Sequence, residues 1–177
     1  MLELNIHKTE MFDEKTDTFF TIPSQKIQLE HSLISVSKWE SKWHVPFLNT
    51  TKTTEQSLDY IVCMTINKTD GNFVRALSKE DIDKVYAYME NPMSATKVSN
   101  YKKQRPKNEI ITSEVLYADM IELGIPDSFE KWHLNRLLML INVLAAHQNP
   151  GKMSKSEILK QNAALNAARK SKLHSRG

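Results

Sequence analysis

The order of apolar and polar residues predicts short strands in the first part of the chain. Residues 2–6 alternate between apolar and polar side chains, as in a strand that buries one face. Residues 16–22 and 26–33 are also typical of strands, the first rich in β-forming residues and the second alternating. The acidic residues within 10–14 are interpreted as a solvated turn. We therefore expect a small antiparallel sheet or hairpin.

After this segment the apolar spacing changes to that of amphipathic helices. Ser37 and Glu40 have the spacing of a capping box, which predicts that a short helix begins there and ends before Pro46. Gly124, followed by a proline, is a typical helix stop. The other predicted helices span residues 53–66, 78–91, 110–123 and 128–148, with a last one beginning at 154.

These elements predict a mainly α protein of the α+β class. It has a small N-terminal antiparallel β-sheet or hairpin, then a helical domain of about five to six helices, and a basic C-terminal helix or tail. The expected parts are a β segment over 1–33 that packs on the body, a helical domain over 34–151, and a weakly anchored segment over 152–177. The apolar stripe of that last segment is thin, so we expect it to become ordered on a partner.

Composition and charge fit one globular domain with a distinct end. The chain has 177 residues, of which 40% are hydrophobic and 25% charged. Residues 152–177 hold seven Lys or Arg and one acid, a charge of +6, so the remaining residues carry −3 of the total +3. A single cysteine, Cys63, favours a reducing compartment. There is no signal-peptide pattern and no apolar run near the ~20 residues that cross a bilayer, which favours the cytosol.

Two apolar features need a partner surface. Trp39 and Trp43 are four residues apart and share a helix face with Phe47, so they face either the protein's own core or another chain. The helix over 128–148 is apolar around most of its circumference, as in a central core helix or one with an interface face. The candidate partner-binding residues from these features and the basic end are Trp39, Trp43, Phe47, Trp132, Leu137, Ile141, Lys155, Lys160, Arg169 and Lys170.

Motifs that carry catalytic or cofactor chemistry are missing. The sequence has no His-Glu-x-x-His pair, no cysteine cluster and no glycine-rich phosphate loop. Glu130 and His133 have the spacing of half a di-iron site, but the sequence offers no second copy of the pair. We therefore expect a binding protein rather than an enzyme, with no catalytic, metal or cofactor-binding residues.

Four stretches resemble, in the same order, small proteins of tailed bacteriophages known as tail assembly chaperones. They are KWESKWHVPF (38–47), LDYIVCM (58–64), KWHLNRLL (131–138) and the end over 153–170. The resemblance implies binding to the tape-measure protein, a long apolar helical chain, which is kept soluble while the tail assembles. It also implies a place in the host cytoplasm rather than in the mature virion. A contact with the tail-tube protein and a homo-oligomer are left open, and no membrane is implied.

Two other functions compete with this interpretation. A nucleic-acid-binding or regulatory phage protein would use the basic tail and the basic stretch over 97–107. The acidic body argues against it, because no predicted helix presents a clustered basic face. A structural tail or connector protein would instead be retained in the virion, and purified particles would contain it.

Overall fold

The computed structural model of the protein describes residues 1–14, 17–96 and 109–148, together with the single positions 159, 163 and 166. The predicted α+β class is confirmed, with strands first and helices after them. In the described part of the chain, the strands are β1 (Leu2–Ile6), β2 (Thr9–Asp13), β3 (Thr18–Ile22) and β4 (Gln25–Leu29). The α-helices of the described residues are α1 (Leu33–Trp43), α2 (Thr54–Cys63), α3 (Lys79–Glu90), α4 (Ser113–Glu122) and α5 (Leu134–Gln148). Among the described residues, two 3-10 helices span Gly71–Ala76 and Asp127–Lys131. The predictions for 97–107 and for the basic end concern residues that the structure does not describe.

The strands form two separate antiparallel pairs, one nested inside the other along the chain. β1 pairs with β4, and the hairpin of β2 and β3 is inserted between them. The interpretation of 10–14 as a turn is therefore wrong for most of its length, because β2 extends to Asp13. The inward side chain of Met11 packs against the core, and that burial together with the ladder to β3 outweighs the local charge.

One hydrophobic core joins the β segment to the helices. Leu4 of β1 and Ile27 of β4 are almost completely buried, as are Leu33 of α1 and Leu134 of α5. All four belong to the same cluster of buried residues. The β1–β4 ladder therefore covers one side of the helical body, and burial of apolar area is what holds the two together.

The first helix begins earlier than its capping-box spacing predicts. α1 starts at Leu33, where the Ser32 hydroxyl caps it by accepting a hydrogen bond from the Ser35 N–H. The prediction of a start at Ser37 is wrong, because Glu40 does not cap its own helix and turns instead into the interior. The predicted end before Pro46 is confirmed at Trp43, the last helical residue.

Three other predicted boundaries are confirmed. Thr53 and Gln56 form the reciprocal capping box of α2, and the Ser78 hydroxyl caps α3. Gly124 has a φ of 66°, the left-handed conformation that glycine adopts without strain just after a helix.

The long helix predicted over 128–148 is broken in two. A 3-10 helix ends at Lys131, the backbone is extended at Trp132, and α5 begins only at Leu134. A tertiary contact explains the break, because the Leu134 N–H donates to the carbonyl of His31 at 2.6 Å. This bond docks the start of α5 against the chain just before α1. None of the described helices is long and apolar enough to span a membrane.

Candidate partner-binding surfaces

The structure places the predicted partner-binding residues in three settings. Four lie in the core with at most 4% of their surface exposed, which leaves a partner nothing to contact: Trp39, Phe47, Leu137 and Ile141. Two are half-buried, Trp43 and Trp132. The basic residues Lys155, Lys160, Arg169 and Lys170 lie outside the described residues. The first four are corrected from binding to packing roles, because the sheet and helices close over them.

Trp39 is the centre of a buried aromatic cluster. Its ring meets the ring of Phe47 edge-on, with centroids 5.2 Å apart, and its indole N–H donates to the carbonyl of Gln56 at 2.9 Å. The ammonium of Lys52 lies 3.8 Å from the Phe47 ring centroid and donates to the Phe47 carbonyl. Partial burial lowers the pKa of Lys52. Of the two alternatives for this helix face, the core is confirmed for Trp39.

Trp43 is held at the surface by an acid on the neighbouring helix. Its indole N–H donates to one carboxylate oxygen of Asp59 at 2.7 Å, while Lys42 pairs with the other oxygen at 2.5 Å. The hydrogen bond to Asp59 raises the pKa of Lys42. Trp43 therefore presents a fixed orientation, and the uncovered part of its ring remains available for contact.

Trp132 belongs to a second surface arrangement of aromatic and cationic groups. Its ring stacks on Phe129 with centroids 3.9 Å apart and planes 16° from parallel. The guanidinium of Arg136 lies 4.0 Å from the Trp132 centroid, within the range of a cation–π interaction. Tryptophan and arginine are the residues that most often dominate protein interfaces, so Trp132 remains a candidate for partner contact.

The most exposed aromatic surface in the described part of the chain lies on the β2–β3 hairpin, and sequence reasoning missed it. Phe12 and Phe19 are cross-strand partners with ring centroids 4.9 Å apart, and they are 46% and 79% exposed. We call the outward side of the β2–β3 hairpin, centred on Phe12 and Phe19, the aromatic hairpin face. The sequence did contain a signal, since Phe19 and Phe20 are consecutive and consecutive residues of a strand point to opposite sides.

A groove of about 360 Å³ lies beside α1. Its apolar wall includes Ile34 and Met64, and Ile66 stands in it with 57% of its surface exposed. Lys38 and Lys131 also line it. We call it the α1 groove; its remaining lining residues are Met1, Glu30, Ser32, Ser35, Cys63 and Thr65. No local pattern predicts it, because four distant parts of the chain meet there only in the folded protein.

A row of polar side chains is buried between the β segment and the helices. The Tyr60 hydroxyl lies 2.5 Å from Nδ1 of His31, whose ring meets that of His133 edge-on at 5.2 Å. Nε2 of His133 donates to the carbonyl of Tyr88, whose hydroxyl donates to Glu30 at 2.6 Å. Burial, assisted by the positive charges of His133 and Lys52, lowers the pKa of His31 to about 3. Burial raises the pKa of Tyr60, so its hydroxyl is the donor to a neutral His31.

Acidification is expected to destabilise the protein through His31. In the unfolded chain His31 binds a proton below about pH 6.5, whereas in the folded protein it binds one only below about pH 3. The free energy of unfolding should therefore fall across that window by about 1.4 kcal/mol per pH unit. Urea unfolding at a series of pH values between 7 and 5 measures the slope. His31→Phe should make it shallower, whereas His7→Gln at an exposed position should not; equal slopes for His31→Phe and the parent would contradict the assignment.

The groups with potential for chemistry are each engaged in structural contacts. Burial raises the pKa of the Cys63 thiol to about 11, which disfavours the reactive thiolate. Glu130 accepts a hydrogen bond from Tyr117 while His133 bonds to Tyr88, so this pair does not converge on a common ligand. Within the described ranges, no group of three His, Cys, Asp or Glu side chains is arranged to hold a metal ion.

Comparison of the chain with protein families, curated proteins and solved structures finds no match. The function must therefore be argued from the residues and surfaces described above.

Proposed function

We propose that this protein is a tail assembly chaperone of a tailed bacteriophage, which binds the tape-measure protein and keeps it soluble while the tail assembles. It would act in the host cytoplasm, by binding rather than catalysis, and would not remain in the mature virion. The four stretches of sequence resemblance motivate the proposal. A protein with this role needs apolar surface that it can offer to an apolar helix and later release.

The observation that carries the proposal is the aromatic hairpin face. Phe12 and Phe19 pack against each other in solvent, and aromatic side chains are favoured at interfaces because they offer large contact areas with few rotatable bonds. Met11 and Phe20 on the inner side of the hairpin pack against the core, while Phe12 and Phe19 on its outer side are exposed. The surface tryptophans Trp43 and Trp132 offer further contact area of the same kind.

Removing the two phenylalanines should separate binding from folding. The double variant Phe12→Ser/Phe19→Ser is expected to lose most of its ability to solubilise the co-expressed tape-measure protein. Loss of central aromatic contacts typically costs at least about 2 kcal/mol, or roughly thirtyfold in affinity. The readout is the soluble fraction of the tape-measure protein and its capture by the tagged chaperone. Stability should fall by only about 0.2–1 kcal/mol, the value of an exposed cross-strand pair.

A matched control is Tyr86→Ser, which removes an aromatic residue of similar exposure (44%) on α3. This variant should leave unchanged both the capture of the tape-measure protein and its soluble fraction. Raising the salt concentration should weaken the complex only modestly, because screening acts on charges and not on apolar burial. Absence of tape-measure capture by the parent, combined with nucleic-acid binding that collapses with salt, would favour the competing nucleic-acid function.

A further inference from the structure

The aromatic hairpin face carries an excess of negative charge. Glu10 is exposed and pairs with Thr21, two residues along the ladder from the Phe12–Phe19 pair, so it lies on the same side of the hairpin. Glu14 and Asp17, at the other end of the strands, are also exposed. The exposed cation Lys8 precedes β2, so acids outnumber cations among the exposed residues described between positions 8 and 19. The face is thus an aromatic pair set between carboxylates.

The α1 groove has the opposite character. Its wall is apolar, and Ile66 offers exposed apolar surface inside it. Lys38 and Lys131 line it, and neither forms an ion pair with any residue in the described part of the chain. The one acid of the groove, Glu30, is already engaged by the Tyr88 hydroxyl and the N-terminal amine. The groove therefore offers apolar surface together with two cations that form no ion pair within the described part of the chain.

We propose that the aromatic hairpin face of one copy of this protein docks into the α1 groove of a second copy. Phe19, the more exposed ring, packs against Ile66 and the apolar wall, while the carboxylates of Glu10 and Asp17 approach the ammonium groups of Lys38 and Lys131. The two surfaces are different patches of the same chain. When each pair of copies uses the contact once, it is head-to-tail and continues into a ring or a filament; when two copies use it reciprocally, it closes a two-fold dimer.

Charge complementarity favours this contact over one in which two like surfaces meet. Two hairpin faces packed on each other would oppose Glu10 to Asp17 and Glu14, and like charges disfavour such a contact. Two grooves facing each other would oppose lysine to lysine. The hairpin-in-groove contact pairs both apolar and charged features, and it covers the Phe12–Phe19 pair when no other partner does.

Sedimentation of the purified full-length protein without tape-measure protein tests the contact. The average mass should rise with concentration above that of the monomer. Phe19→Ser should weaken association by about tenfold or more, as loss of a central aromatic contact does. Lys38→Glu/Lys131→Glu should weaken it about two- to fivefold for each lost pair, and more as repulsion replaces attraction. The control Lys84→Glu, on α3 and outside the groove, should associate like the parent.

Reversing the charges of both surfaces in separate variants tests whether the hairpin of one copy meets the groove of another. Glu10→Lys/Asp17→Lys should also associate poorly alone, but its mixture with Lys38→Glu/Lys131→Glu should recover association, because the basic hairpin then meets the acidic groove. A monomer at every concentration, or no recovery in the mixture, would overturn the proposal. Because the measurement contains no tape-measure protein, its failure leaves the chaperone function untouched.

Discussion

Replacing Trp39 with alanine is expected to lower the free energy of unfolding by about 3–5 kcal/mol, the usual cost of removing a large buried aromatic side chain. Trp39 is completely buried, meets Phe47 edge-on and donates to the carbonyl of Gln56, so the variant loses both the packing and this hydrogen bond. Because domains are typically stable by only 5–15 kcal/mol, this is a large fraction of the total. Urea unfolding followed by circular dichroism measures the loss.

Trp43→Ala is the matched control, since the same residue type is removed from the same helix. Trp43 is only half-buried, and its hydrogen-bond acceptor Asp59 keeps its ion pair with Lys42. The loss should be about 1–2 kcal/mol, in proportion to the smaller apolar area buried. Equal losses for the two variants would show that Trp39 is not the packing centre.

Removal of the Glu40 carboxylate should have the second-largest effect. Its two oxygens accept hydrogen bonds from the backbone N–H groups of Phe47 and Ser113, each at 2.7 Å, and the side chain is buried. Glu40 thereby ties the end of α1 to the first turn of α4, where a negative charge is also favoured by the helix dipole. Glu40→Ala strands two buried donors, so the free energy of unfolding should fall by about 2–5 kcal/mol.

Glu40→Gln tests the same assignment with almost unchanged shape. Its single amide oxygen can serve one of the two N–H groups, and its NH₂ faces the other donor, so a substantial loss should persist although no cavity forms. Glu114→Ala, an exposed acid in the first turn of α4, should cost no more than about 1 kcal/mol. If Glu40→Gln unfolds like the parent, the two backbone contacts are not what makes Glu40 important.

Glu40 also shows how a correct residue pattern led to a wrong local prediction. Its spacing from Ser37 is that of a capping box, yet the side chain serves the backbone of a helix more than seventy residues away. Capping patterns are local, and they fail when a buried polar group elsewhere offers the carboxylate a partner that water cannot reach. Thr53 and Ser78, which face solvent, obeyed the same rule.

The aromatic residues divide in the same way between what was predictable and what was not. Their pattern predicted that Trp39 and Trp43 share a helix face, but periodicity cannot say which of them the core reaches. The same holds for Phe47 and for the aliphatic residues Leu137 and Ile141. They are core residues because other segments of the chain cover them, which a local pattern does not predict. Phe19 illustrates the reverse, since strand alternation alone required either it or Phe20 to face outward.

The sequence by itself determined the α+β class, the order of strands before helices, and those helix ends where capping side chains or glycine act through neighbouring backbone. These features depend on short-range hydrogen bonds and on the period of apolar residues. Only the tertiary structure decided the nested strand pairing, the break before α5 and the α1 groove. Each of these joins segments far apart in the chain, where burial and long-range hydrogen bonds outweigh the preferences of any local stretch.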